Sequence, residues 1–214
     1  MKLKALALTA VAAIAMTTTA SFAKPVGIST AGELEVKAGD VSFSRNQDNN
    51  NTVNPAFAKT SRPCPPFCIQ PSSLATGVET IAENEVIHYV KKMKEGDSSI
   101  AVIDSRTPDW VAKGTIPGAV NLPFTLIKNA MKNLDAGALA DTLKKFDVKV
   151  SDSGDLYNYS NAKTLVMFCN GMWCGQSPTN IKDLLALGYP AHKIKWYRGG
   201  MQNWANLGLT TVKP

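Results

Sequence analysis

Histidine is scarce in this 214-residue chain, which contains only two, His88 and His192. His88 falls within an amphipathic stretch and His192 in a turn after Pro190, so neither is an obvious general base. Long apolar runs are also rare. The longest, residues 5–16, is short of the ~20 residues that a bilayer-spanning helix requires, and no membrane span is expected. Basic clusters interleaved with aromatics are absent, which argues against a nucleic-acid partner, although the formal charge is +6. No internal repeat is visible.

What is present begins with Lys2 and Lys4, the apolar run, and then TTTASFA. This order resembles a secretory signal peptide over residues 1–23, cut after Ala23. A periplasmic or secreted protein is therefore expected. No cysteine stands at the cut site, which disfavours a lipid anchor. The remaining chain is long enough for one well-buried domain with extra chain attached.

Residues 24–75 read as an N-terminal arm. RNQDNNNTVNP is polar, RPCPPFCIQP is proline-rich, and ELEV and VSFS flank the turn-like KAGD as a candidate hairpin. Residues 76–214 read as the main domain, because short apolar runs alternate there with amphipathic segments. Thr80 and Glu83 have the spacing of a capping box ahead of a helix through Met93. IAVIDSR, TLVMFC and KIKWY read as buried strands. Thr107–Pro108 and Ser177–Pro178 read as helix starts. Strands alternating with helices imply a parallel α/β sheet covered on both faces.

The four cysteines form two close pairs, Cys64/Cys68 and Cys169/Cys174. Cys169 stands at the carboxyl end of a strand, where open parallel sheets place their crevices. The loop after it leads into a helix N-terminus, so backbone N–H groups and the positive end of a helix dipole should favour a thiolate there. Cys174, later on the same loop, is the candidate resolving or redox thiol. For Cys64 and Cys68 three readings are open. They are a local structural disulfide, a relay exchanging electrons or sulfur with Cys169, or half of a four-cysteine zinc site.

Three blocks then become recognisable. IDSRTPDWVAKGTIPGAVNLP, LVMFC and WYRGGMQNW, in this order, resemble the rhodanese-like domain family from about Gly77 to Lys213. The resemblance implies a rhodanese-like parallel sheet with helices on both faces, here with an irregular N-terminal arm. It also implies a sulfurtransferase. Cys169 would be the catalytic nucleophile carrying a persulfide, and Asn170, Gly171, Met172, Trp173, Cys174 and Gly175 would form the loop that cradles it. No cofactor and no metal are implied. The expected partners are a small sulfur-containing donor such as thiosulfate, a thiol or cyanide acceptor, and a thiol-reducing protein.

The loop differs from the family pattern by being longer, by including Cys174 and by having no cation. Related phosphatases with long loops carry a phosphate-binding arginine, so phosphate binding is unsupported here. Asp104 and Arg106 are expected to be structural. Trp110, Trp196 and Trp204 should be core, and Trp173 a wall of the pocket. Asp152 and Asp155 lack the full spacing of a calcium loop. Two other functions remain open: a periplasmic thiol-disulfide or sulfur-carrier protein cycling Cys169/Cys174, and a non-catalytic binding module on the same fold.

Overall fold

A computed structural model describes residues 24–153 and 156–214. The expected signal peptide and Asp155 lie outside these residues. The arm opens with β1 (Glu35–Ala38) and β2 (Val41–Ser44), an antiparallel hairpin turning at Gly39. The main domain follows as β3 (Glu79–Ile81), α1 (Glu83–Lys94), β4 (Ile100–Asp104), α2 (Pro108–Val111), β5 (Val120–Asn121), α3 (Phe124–Lys132) and α4 (Ala136–Lys144). A small hairpin of β6 (Lys149–Val150) and β7 (Tyr157–Asn158) precedes β8 (Thr164–Phe168), α5 (Gln176–Ala186), β9 (Ile194–Tyr197) and α6 (Gly200–Asn206).

Five strands form one parallel sheet in the order β3-β9-β8-β4-β5. Successive side chains on a strand point to opposite faces, and here both faces are apolar. Leu165 and Met167 of β8 join Ile103 and Trp196 in a core closed by α3, α4 and α5. Val166 and Phe168 of β8 join Val102 and Tyr197 in a second core closed by α1, α6 and the arm. This is why the strands read as continuous apolar runs instead of alternating ones. Phe43 and Phe57 place the arm within the second core, and Arg45 Nε donates to the Leu207 carbonyl at 2.7 Å.

The connections explain where a site can form. From β4 the chain leaves toward β5, and from β8 it leaves toward β9 on the other side. The carboxyl ends of these neighbouring strands are therefore the switch point at which parallel sheets open a crevice.

Two helix starts differ from the sequence expectation. Thr80 lies in β3, where its hydroxyl donates to the Ser72 carbonyl at 2.6 Å, and the helix is capped at Ala82 by Glu85 reaching back to its N–H at 3.0 Å. The strand takes Thr80 because its backbone pairs with β9. Gly175, not Ser177, caps α5. Ser177 lies inside the first turn, which frees its hydroxyl for another partner. Thr107 and Pro108 do occupy the cap and first position of α2. The stretch after α4 contains β6 and β7.

Candidate active site

Cys169 directly follows β8, and the loop it begins is fastened at its base. Its carbonyl accepts from Met201 N–H at 3.0 Å, and the Asn170 carbonyl accepts from Gln202 N–H at 2.9 Å. The approach is so close that a Cβ on Gly200 would lie 2.4 Å from the Cys169 carbonyl oxygen and 2.7 Å from the Gly171 nitrogen. Gly200 has φ of +57°, a left-handed conformation suited to glycine. The Gly-Gly turn after β9 thus lets α6 meet the loop backbone to backbone.

Cys169 and Cys174 are free thiols, each only 2% exposed. The Ser177 hydroxyl lies 3.1 Å from the Cys169 sulfur, and the Trp196 indole N–H donates to Ser177 Oγ at 3.1 Å. The Cys169 thiol donates to the Cys174 carbonyl oxygen at 3.5 Å and Asn170 Nδ2 lies 3.8 Å from the Cys174 sulfur, and the nearness of the two thiols sets their ionisation. Cys174 is pulled down to about 7, first by the hydrogen bond from Cys169, then by the backbone N–H groups of Asn170 and Gln176 and the Asn170 side chain, against the opposing effect of burial. Burial pushes Cys169 well up, reinforced by its hydrogen bond to Cys174 and by the charge there, while Ser177 works in the opposite direction.

Cys174 is therefore the more acidic thiol of the pair, and Cys169 the one that burial holds in its neutral form. The sequence led us to expect the thiolate on Cys169. The difference arises because two loop N–H groups and an amide converge on Cys174, whereas the first turn of α5 offers Cys169 the Ser177 groups.

The N-terminal arm covers this loop. Gln70 N–H donates to the Met172 carbonyl at 2.8 Å. Phe67 meets Trp173 edge to face with centroids 5.7 Å apart, and the Arg62 guanidinium sits 3.9 Å from the Trp173 ring centroid. Trp173 Nε1 donates to Gln202 at 2.8 Å, and Gln202 in turn donates to the Lys59 carbonyl at 3.3 Å. Arg198 fixes the far end of the arm by donating to the Gln70 carbonyl at 2.7 Å. Trp173 forms one wall of the groove between loop and arm.

Cys64 and Cys68 are joined as a disulfide on this covering segment, beside Trp173. Among the described residues no group of three or more His, Cys, Asp or Glu is placed to hold a metal, so the two cysteine pairs do not converge as a zinc site. Asp104 and Arg106 are fully buried and bind each other, with Arg106 Nη2 2.6 Å from Asp104 Oδ2. Thr115 also donates to Asp104 at 2.7 Å, and Arg106 donates to the Gly114 carbonyl at 2.7 Å. They staple the crossover after β4. Trp196 and Trp204 are core; Trp110 is half-buried beneath Arg62 and Lys113. His88 and His192 are exposed.

Sequence reasoning missed Arg62 and Gln202, and it read Ser177 only as a helix cap. Ser177 and Gln202 each lie within a motif that was noticed, but their side-chain partners are set by packing. Arg62 gave no signal, because nothing local links the arm to a loop more than a hundred residues away.

Strand, cysteine loop and helix at the switch point of a parallel sheet define an α/β protein built around a strand-end thiol. A family model, the rhodanese-like domain, matches residues 86–207, and the chain belongs to that family. A mitochondrial protein of Schizosaccharomyces pombe, provisionally named a thiosulfate sulfurtransferase, is 28% identical over 128 residues, which is 59% of this chain and 78% of that protein. Solved structures with a similar fold include a rhodanese-like domain from Anabaena, at 15% identity and TM-score 0.38 over 65% of this chain and 81% of that one. A rhodanese-related protein from Thermoplasma volcanium aligns at 16% identity and TM-score 0.34 over 64% of this chain and 99% of that one.

Proposed function

We propose that the protein is a sulfurtransferase that carries a sulfane sulfur on Cys169. The observation that carries this reading is the buried Cys169–Cys174 pair, with the Ser177 hydroxyl at 3.1 Å from the Cys169 sulfur. Cys174, the thiolate of the pair, takes the Cys169 proton as Cys169 attacks the outer sulfur of a donor such as thiosulfate. The donor's S–S bond breaks and sulfite leaves with the electron pair. Cys169 is left with an anionic persulfide, which the Ser177 hydroxyl and the N–H groups at the start of α5 stabilise. An acceptor thiolate or cyanide then attacks the outer sulfur and returns Cys169 as a thiolate, which recovers its proton from Cys174. Family membership and the Schizosaccharomyces pombe relative support the reaction class.

A second reading rests on the two free, buried thiols that share one short loop. In it Cys174 attacks the sulfur of Cys169 in its persulfide form and expels hydrosulfide, leaving a Cys169–Cys174 disulfide for a thiol-reducing partner to open. Export after removal of a signal segment at Ala23 belongs to either reading, and the arm disulfide supports an oxidising compartment.

The deciding experiment is to incubate reduced protein with thiosulfate and determine its mass. Gain of one sulfur that is lost in Cys169→Ser, and that still forms but more slowly in Cys174→Ser, with sulfite released, is the expected result. A reversible internal disulfide with no sulfur gained would replace the first reading with the second.

A further inference from the structure

The cysteine loop has no cation, yet the arm brings one to its rim, and that cation has no hydrogen-bonding partner among the described residues. The chain has four arginines. Arg45 donates to the Leu207 and Gly27 carbonyls, Arg106 to Asp104, and Arg198 to the Gln70 and Pro71 carbonyls. Arg62 alone makes no hydrogen bond or ion pair with any described residue, and its Nε is buried without a partner. A buried donor left unsatisfied costs about 1–3 kcal/mol, which marks the position as built for something not supplied by the chain.

The surroundings specify what that is. The Arg62 guanidinium lies 3.9 Å from the Trp173 ring centroid, 5.4 Å from that of Phe67 and 5.6 Å from that of Trp110. Stacking holds a guanidinium by its faces and leaves the N–H groups at its edge free for a planar pair of oxygens. Lys113 Nζ adds a second positive charge 4.0 Å from the Trp110 ring centroid. Arg62 and Trp173 line a groove of 670 Å³ together with Thr60, Ser61 and the Cys64–Cys68 disulfide, and Trp173 is the residue next to Cys174.

We infer that Arg62 is the anion-binding residue for the sulfur donor, receiving the sulfonate oxygens of thiosulfate or a thiosulfonate in the groove between arm and loop. Cation–oxygen hydrogen bonds supply there the charge that the loop lacks, and the arm becomes part of the binding site. The inference names the donor class for the sulfurtransferase reading and rests on that reading for its biological sense, but anion binding can be measured without turnover.

The test uses the full chain carrying Cys169→Ser, with tryptophan emission followed during titration with thiosulfate. Trp173 and Trp110 both face Arg62, so a saturable change is expected. Arg62→Ala should weaken it by about tenfold or more, as loss of a charge-assisted contact does, and Arg62→Lys should recover only part of the affinity, because an ammonium keeps the charge but not the stacked, two-pronged edge. Should Arg62→Ala fail to fold, Arg62→Gln decides in the same way. With Cys169 intact, Arg62→Ala should raise KM for thiosulfate and leave kcat nearly unchanged, the pattern of lost uniform binding. No emission change, or equal affinity in the Arg62 variants, overturns the inference. Anion binding without a persulfide on Cys169 would refute the sulfurtransferase reading and leave the Arg62 site standing. Persulfide formation with KM indifferent to Arg62 would do the reverse.

Discussion

The Ser177 hydroxyl lies 3.1 Å from the Cys169 sulfur and is itself held by the Trp196 indole N–H at 3.1 Å. These contacts run from a core tryptophan to the sulfur proposed to react, with every member buried, so the fold itself fixes the hydroxyl in place. Replacing Ser177 by alanine removes a donor to the Cys169 persulfide and strands the Trp196 N–H. We expect persulfide formation to slow by about tenfold to a hundredfold, the scale of one preorganised donor at a developing charge. Stability should fall by about 1–3 kcal/mol from the unpaired indole. Single-turnover sulfite release and urea unfolding measure the two separately. Unchanged sulfite release would remove Ser177 from the chemistry.

Asp104 and Arg106 make a different kind of pair. Both are buried, and Asp104 accepts from Arg106 and Thr115 together. Replacing Asp104 by alanine leaves the guanidinium without its counter-charge, a loss of about 3–5 kcal/mol for one partner of a buried pair. Arg106→Lys should also destabilise, because an ammonium cannot reproduce contacts to both carboxylate oxygens and the Gly114 carbonyl. Denaturant titration checks both. Persulfide formation per folded molecule should be unchanged, since neither residue contacts the cysteine pair.

The backbone of the fold was legible because both faces of the sheet are buried. IAVID and TLVMF read as strands on apolar content alone, and the Gly-Gly turn and the cysteine loop carried the family pattern. The place of Cys169 at the end of a strand was legible for the same reason. The ionisation of the pair was not, because it depends on which N–H groups a curled loop directs at which sulfur. Nor was the covering role of the arm. The contact of Phe67 and Arg62 with Trp173 joins segments far apart in sequence, and local periodicity has no reach over that separation. The cap at Ala82 was missed because Glu85 makes the contact that the Thr80–Glu83 spacing imitates.

Gly200 offers a test of how tightly the loop is fastened. An added Cβ would meet the Cys169 carbonyl oxygen at 2.4 Å, and backbone cannot move aside as a flexible side chain can. Gly32 also has a positive φ, +82°, but nothing lies within 4 Å of its added Cβ. Gly32→Ala should therefore cost only the left-handed conformation, about 1–2 kcal/mol. Gly200→Ala should cost more and should also displace the loop. Thermal unfolding of both variants, with thiosulfate-dependent sulfur gain as the second readout, is expected to separate them. Equal losses in stability with sulfur transfer intact would mean that the α6 contact does not position the loop.

The opposite shifts of the two thiols lead to a pH prediction of definite sign. With Cys174 lowered to about 7, the pair is largely neutral below that pH and carries one thiolate above it. Ultraviolet thiolate absorbance and alkylation rate should both rise through about pH 7, below the ~8.5 of an ordinary thiol. Removing Cys174 takes away two of the influences that push Cys169 upward, its hydrogen bond to Cys174 and the charge beside it, and leaves Ser177 as a donor. In Cys174→Ser, Cys169 should therefore titrate lower than it does in the native pair. In Cys169→Ala, Cys174 loses the side-chain donor that most lowers it and should titrate higher than about 7. The two single variants thus move in opposite directions. A thiolate step that stays near 7 in Cys169→Ala would show that Cys174 ionises without help from Cys169, and the proton exchange between the two sulfurs would have to be abandoned.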